Sequence, residues 1–128
     1  MSLRNRLRLM VVDDMATSRA LITQALDEIG FANYESENNG RTALARLQAA
    51  PAHLVLSDYN MPEMDGLELL KALRTSPSTQ KIGFILVTGK PTPDMIQTAR
   101  SLGLNNMIKK PFTAAALQQC IESVVGKI

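Results

Sequence analysis

Five times along the chain a strand-like segment gives way to a stretch with helical spacing, and this alternation restricts the fold more than any other feature. Leu7 to Val12 reads as a first strand. Leu21, Ile22, Ala25, Leu26 and Ile29 follow at the intervals of one helix face, and Gly30 supplies the stop, since helix C-termini often need a left-handed residue. A second strand is expected near Asn33 to Glu37, poor in apolar residues as an edge strand can be, before a helix marked by Ala43, Leu44 and Leu47. Leu54 to Ser57 is continuous in apolar character, as strands covered on both faces are. Leu67, Leu70 and Leu73 begin a helix after Gly66, Phe84 to Thr88 is a fourth strand, and Met95, Ile96, Ala99 and Leu102 give a helix closed by Gly103. Met107 and Ile108 are thin evidence for a fifth strand, and a last helix carries Leu117, Cys120, Ile121, Val124 and Val125.

Such alternation predicts an α/β fold with a parallel sheet, because right-handed crossover helices are how successive parallel strands are joined. With 128 residues and no linker, repeat or low-complexity tract, one domain over residues 1–128 is expected. In such a sheet the C-terminal ends of all the strands share one edge, and ligands bind there, where the strand order reverses.

Several function classes drop out on bulk chemistry. Fourteen basic and 12 acidic residues leave a net charge of +2, too balanced for an electrostatic footprint on nucleic acid. Arg4, Arg6 and Arg8 are therefore expected on a solvated strand edge, not in a nucleic-acid arm. No run reaches the roughly 18 apolar residues of a membrane span, and the N-terminus does not read as a secretion signal. A cytoplasmic protein without a nucleic-acid or membrane partner is expected. Cys120, the single cysteine, excludes an internal disulfide and a multi-cysteine zinc cage, and its spacing makes it a core thiol. His53, the single histidine, precedes the third strand at the opposite edge and reads as a surface residue.

The residues leaving each strand carry the functional signal: Asp13 and Asp14 after the first, Asp58 after the third, Thr88 after the fourth, Lys110 after the fifth. Taken singly, each has an ordinary explanation as a helix cap, a turn residue, a strand end or a solvated tip. In a strand order such as 2-1-3-4-5 they converge, on neighbouring strands about 4.8 Å apart. Three carboxylates brought together repel by about 4 kcal/mol per pair at roughly 4 Å and an effective dielectric near 20. Against a net domain stability of about 5 to 15 kcal/mol, a cluster without a cation is a poor structural device. A hard divalent ion with oxygen ligands fits, Mg2+ above all. The ammonium of Lys110 and the hydroxyl of Thr88 can then pair with an anion rich in oxygen, which points to acyl phosphate chemistry on an aspartate.

Four stretches carry a family resemblance: V-V-D-D-M-A-T-S-R, S-D-Y-N-M-P-E-M-D-G-L-E-L-L, I-L-V-T-G and K-K-P-F. In this order and spacing the chain resembles the CheY-like receiver domains of two-component response regulators over essentially its whole length. The resemblance implies a doubly wound, flavodoxin-like five-stranded parallel sheet, order 2-1-3-4-5. It further implies that Asp58 takes a phosphoryl group from a CheA-like histidine kinase. Asp13, Asp14 and Asp58 would hold Mg2+ together with the backbone carbonyl of Asn60, Thr88 would bond a phosphoryl oxygen, and Lys110 would pair with the phosphate. The bond before Pro111 would be cis, aiming Lys110 inward. Such a protein is a signalling phosphoacceptor and not an enzyme, assisting only its own phosphorylation and dephosphorylation. Asp58 then ends its strand as a nucleophile, and the turn at Pro62 and Gly66 is expected to take the chain clear of the metal.

Three positions modify the pattern. Met107 stands where the family usually has an aromatic switch residue, and it either packs in the fifth strand or serves as a modified switch. Gly89 should leave the phosphoryl group accessible to donor and water. Lys90 and Asn60 occupy positions that tune water attack in the family, so a short-lived phosphoryl state is expected.

The chain ends at Ile128 just after its last helix, so a monomer signalling by protein contact is expected, with the family's output surface on its fourth helix, fifth strand and fifth helix. The leading expectation is a chemotaxis regulator that binds the flagellar motor switch protein FliM when phosphorylated. The alternative is a regulator that drains phosphoryl groups from a shared kinase. A haloacid-dehalogenase-like phosphatase is more remote, because it wants D-x-D where this chain has adjacent Asp13 and Asp14. A flavodoxin-like flavin carrier would need a phosphate-binding loop rich in Ser, Thr and Gly at that place, where D-D-M-A-T-S puts negative charge.

Overall fold

Along β1 (Leu9–Val12), β3 (Leu54–Asp58) and β4 (Gly83–Thr88) every residue is buried, and alternate side chains enter two different cores. Leu9, Val11, Leu54, Leu56, Ile85 and Val87 face one core, whereas Met10, Val12, Val55, Phe84 and Leu86 face the other. The two-residue period of a strand thus explains runs that are apolar throughout. A computed structural model describes residues 3–128. The edge strands are β2 (Tyr34–Glu37) and β5 (Asn106–Lys109), and the sheet is parallel with the order β2-β1-β3-β4-β5.

Helix α2 (Ala16–Ile29) and helix α6 (Ala114–Val125) cover the first core through Ile22, Leu26, Leu117 and Ile121. The other core is covered by α3 (Gly40–Ala49), α4 (Gly66–Arg74) and α5 (Pro93–Ser101), with Leu47, Leu69, Leu70 and Leu73 buried there. Gly30 ends α2 at φ 107°, the left-handed value its place in the sequence suggests. Side chains of Asn39, Asp65, Thr92 and Thr113 cap the starts of α3 to α6, and Asp65 with Glu68 forms a reciprocal capping box. Beyond α4, the Arg74 guanidinium donates to the carbonyls of Ile82 (2.7 Å) and Gly103 (3.0 Å) and to Asn105 Oδ1 (3.0 Å). Asn105 Oδ1 also accepts from Phe84 N, so the entry to β5 is tied to the start of β4. Burial draws the Arg74 pKa down from its ordinary value.

Three sequence readings need correction. The first strand begins at Leu9, not Leu7, because Leu3–Arg6 form a short helix, α1. Arg4 and Arg6 therefore lie on that helix, with the Arg4 side chain against Gly30, while Arg8 donates to the Pro51 carbonyl at 2.9 Å. Only Arg6 and Arg8 are exposed, and none of the three lies within a strand. Leu21, expected on the buried face of α2, is 63% exposed, because that helix buries Ile22, Ala25, Leu26 and Ile29. Cys120 is buried as expected, and its thiol pKa is pushed up to about 11 by burial. His53 is exposed, its Nδ1 accepting from Arg8 N at 2.9 Å. Among the described residues no helix is long and apolar enough to cross a membrane.

Candidate functional site

The register of the sheet decides which side chains meet. Val12 pairs with Ser57, Asp58 with Val87, and Thr88 with Lys109. Asp13, Asp58, Thr88 and Lys110 therefore leave the sheet at nearly one level. Backbone bonds continue that level past the strands: Asp13 N donates to the Glu37 carbonyl (3.1 Å), Tyr59 N to that of Val87 (3.2 Å) and Lys110 N to that of Thr88 (2.9 Å). The Lys110–Pro111 peptide bond is cis, as the resemblance implied.

One carboxylate oxygen from each of Asp13, Asp14 and Asp58 lies within 4.8 Å of the other two. Asp13 is fully buried, Asp58 is 7% exposed, and Asp14 is open to solvent. Asp13 is held from both ends: its Oδ1 accepts from Met15 N at 3.0 Å and its carbonyl accepts from Arg19 Nη1 at 2.8 Å. Lys110 Nζ donates to Asp58 Oδ1 at 2.9 Å and approaches Asp13 Oδ2 at 3.5 Å. Burial raises the Asp58 pKa, and the charge of Asp13 adds to the rise, while the bond from Lys110 works against both. Ionised Asp58 is thus a disfavoured charge: largely buried, next to a like charge, and relieved chiefly by the ammonium on one oxygen.

A cleft of about 710 Å3 opens over this group, lined among others by Asp14, Asp58, Asn60, Thr88, Lys90 and Lys110. Thr88 is buried, and its Oγ1 accepts from Lys90 N at 3.4 Å. Gly89 faces open space, since a Cβ built there meets nothing within 4 Å. Met107 lies outside the cleft, half-buried in β5 against the second core, and its carbonyl is 4.0 Å from Cys120 Sγ.

Gly66 carries a packing role beyond the expected turn. The chain leaves β3 through Pro62 but returns at once, and Gly66 N donates to the Tyr59 carbonyl at 2.9 Å. A Cβ on Gly66 would stand 2.5 Å from the Asp58 carbonyl oxygen and 2.7 Å from Leu86 Cδ1. It lets α4 pack closely under the end of β3, and Gly66 is not among the residues that line the cleft.

Ser18 escaped the sequence reading. Its Oγ lies 2.8 Å from Lys110 Nζ, yet a serine one turn into a helix after an acidic pair has no pattern of its own. Met15, 59% exposed on the cleft wall, was likewise unremarked.

Known proteins resemble this chain in sequence and fold. Residues 9–122 match the family model of the response regulator receiver domain. The chain is 40% identical to the "Probable chemotaxis protein CheY" of Rhizobium etli over 128 residues, covering 100% of this chain and 99% of that protein. Identity to the "Chemotaxis protein CheY" of Pseudomonas aeruginosa is 33% over 122 residues, or 95% and 98% of the two chains. A crystal structure of chemotaxis protein CheY4 of Vibrio cholerae superposes with a TM-score of 0.85 at 29% identity, covering 92% of this chain and 98% of that one. A family match over most of the chain, full-length relatives and a close structural superposition agree, and the chain belongs to the response regulator receiver domain family.

Proposed function

We propose that the protein is a phosphoacceptor of a two-component chemotaxis pathway, with Asp58 as the acceptor. The observation that carries this reading is the grouping of three carboxylates with the Lys110 ammonium on one oxygen of Asp58. Asp58 Oδ attacks the phosphorus of a kinase phosphohistidine, the P–N bond breaks with its electron pair returning to the imidazole, and a P–O bond forms. Hydrolysis by water later restores the carboxylate and releases phosphate. Lys110 follows the developing charge onto the phosphoryl oxygens, and the Thr88 hydroxyl turns from Lys90 N to bond one of them. Gly89 leaves the approach open.

The donor set fits Mg2+: hard carboxylate oxygens from Asp13, Asp14 and Asp58, with Asn60 on the cleft wall to offer its backbone carbonyl, and neither Cys120 nor His53 among the lining residues. When bound, the ion supplies positive charge that lets nucleophile and phosphoryl oxygens approach. Lys110 adds positive charge through its bond to Asp58 Oδ1.

The output in this reading is a protein contact, with the flagellar motor switch protein FliM as target, since the named relatives are chemotaxis proteins. A CheA-like kinase is the donor, and the relay operates in the cytoplasm. The test is the mass of the intact chain after incubation with a phosphorylated kinase and Mg2+. One added phosphoryl group is expected on the wild type and none on Asp58→Asn. Binding of a motor-switch peptide, measured with and without beryllofluoride, then separates a motor regulator from a phosphate sink.

A further inference from the structure

We infer that Ser18 is a positioning residue for the phosphoryl-transfer lysine: its hydroxyl holds the Lys110 ammonium over Asp58. This inference rests on the phosphoacceptor reading above and adds a residue to it.

A lysine ammonium has three donors on a flexible four-carbon stem, so something must fix where it points. In this structure all three have a destination: Ser18 Oγ at 2.8 Å, Asp58 Oδ1 at 2.9 Å and Asp13 Oδ2 at 3.5 Å. The shortest contact is to the uncharged group. That group comes from α2, whereas Lys110 follows β5, so the ammonium is held between two elements.

The location of Ser18 gives the contact its weight. Lys110 borders two openings, the cleft over Asp58 and an adjoining groove of about 510 Å3 lined by Ser18, Leu21, Ala25, Pro111 and Phe112. The groove is a route by which a loose ammonium could turn away from Asp58 into water. Ser18 lies on the wall of that groove but not of the cleft, and its bond closes the route. A hydroxyl suits the task better than a third acid would. Once Asp58 carries a phosphoryl group, the ammonium must move toward new anionic oxygens, and a neutral anchor yields without adding like charge.

The test uses the full chain and three variants. Ser18→Ala removes the acceptor, Ser18→Cys replaces it with a poor acceptor of similar size, and Ser18→Thr keeps it. In the unphosphorylated protein, the Lys110 ammonium signal in nitrogen-15 lysine spectra is expected to be retained in wild type and Ser18→Thr and lost in Ser18→Ala and Ser18→Cys. With phosphoramidate and Mg2+, the saturating phosphorylation rate should fall about three- to tenfold in Ala and Cys, the effect of one ordinary hydrogen bond. The half-saturating donor concentration and the Mg2+ affinity should stay at wild-type values, and Thr should restore the rate. An unchanged ammonium signal and unchanged rate in both Ala and Cys variants overturn the assignment. A wild type that phosphoramidate cannot modify overturns the phosphoacceptor reading instead, while the ammonium signal still decides whether Ser18 holds Lys110.

Discussion

The ammonium of Lys110 stands 2.9 Å from Oδ1 of Asp58, although 52 positions separate them in sequence. It is also the only cation within salt-bridge reach of the two buried aspartates among the described residues. Lys110→Ala would leave two neighbouring carboxylates without a counter-charge. Because the lysine side chain is 28% exposed, solvent moderates the loss, which we expect to be about 1–2 kcal/mol in denaturant titrations at pH 7 in EDTA. Saturating Mg2+ should narrow the deficit, and a variant equally deficient with and without Mg2+ would contradict this account.

Asp58 gives a pH dependence with a definite sign. Its folded-state pKa lies above the ordinary carboxylate value, so the folded chain binds the proton more tightly than the unfolded chain does. The ionised group therefore costs stability at all pH values above its folded pKa. That cost is relieved as pH falls through the raised pKa toward the unfolded value near ~3.9. Asp58→Asn should consequently melt higher than wild type at pH 7 in EDTA, with the gap closing as the pH approaches about 4. A gap that widens on acidification would reverse the assignment.

The two glycines near Asp58 should respond oppositely to alanine. At Gly66 the new Cβ would strike the Asp58 carbonyl and Leu86, and overpacking of this kind costs about 1–3 kcal/mol. Reduced phosphorylation should accompany it, since the clash falls on the acceptor's own backbone. Gly89→Ala meets nothing and should stay within about 0.5 kcal/mol of wild type in thermal denaturation. Gly89→Val should lengthen the life of the phosphoryl group by shading it from water, as read by phosphate release.

In the proposed reading, Met107 stands at the family's switch position and gives a test of how a signal would leave the cleft. A half-buried methionine packed against the second core has rotatable bonds enough to absorb a shift without choosing between two positions. On addition of beryllofluoride, backbone resonances of Thr88 and of residues 89–93 should move more than the Met107 methyl. A still loop beside a displaced methyl would show the reverse coupling.

The parts of the site legible in the sequence were those announced by a polar residue after an apolar run. Asp13, Asp58 and Thr88 are buried polar groups at strand ends, and that contrast is local. Leu21 was misplaced for a physical reason: helical spacing gives the direction of a buried stripe but not its width. The stripe of α2 closes at Ile22, one residue on. Ser18 and Gly66 were illegible because their partners lie on other elements. A serine contacts Lys110 only when the start of α2 and the end of β5 are brought to one edge of the sheet, and a missing side chain matters only when Asp58 and Leu86 are packed over it.

No segment of the polypeptide holds the reactive group by itself, because its members arrive from the ends of four strands between Asp13 and Lys110. A ribosome-bound nascent chain still lacking β5 has its nucleophile but not the ammonium that tempers it. In the proposed reading, charging of Asp58 therefore waits on assembly of the sheet edge, and a copy truncated before β5 is expected to stay unphosphorylated.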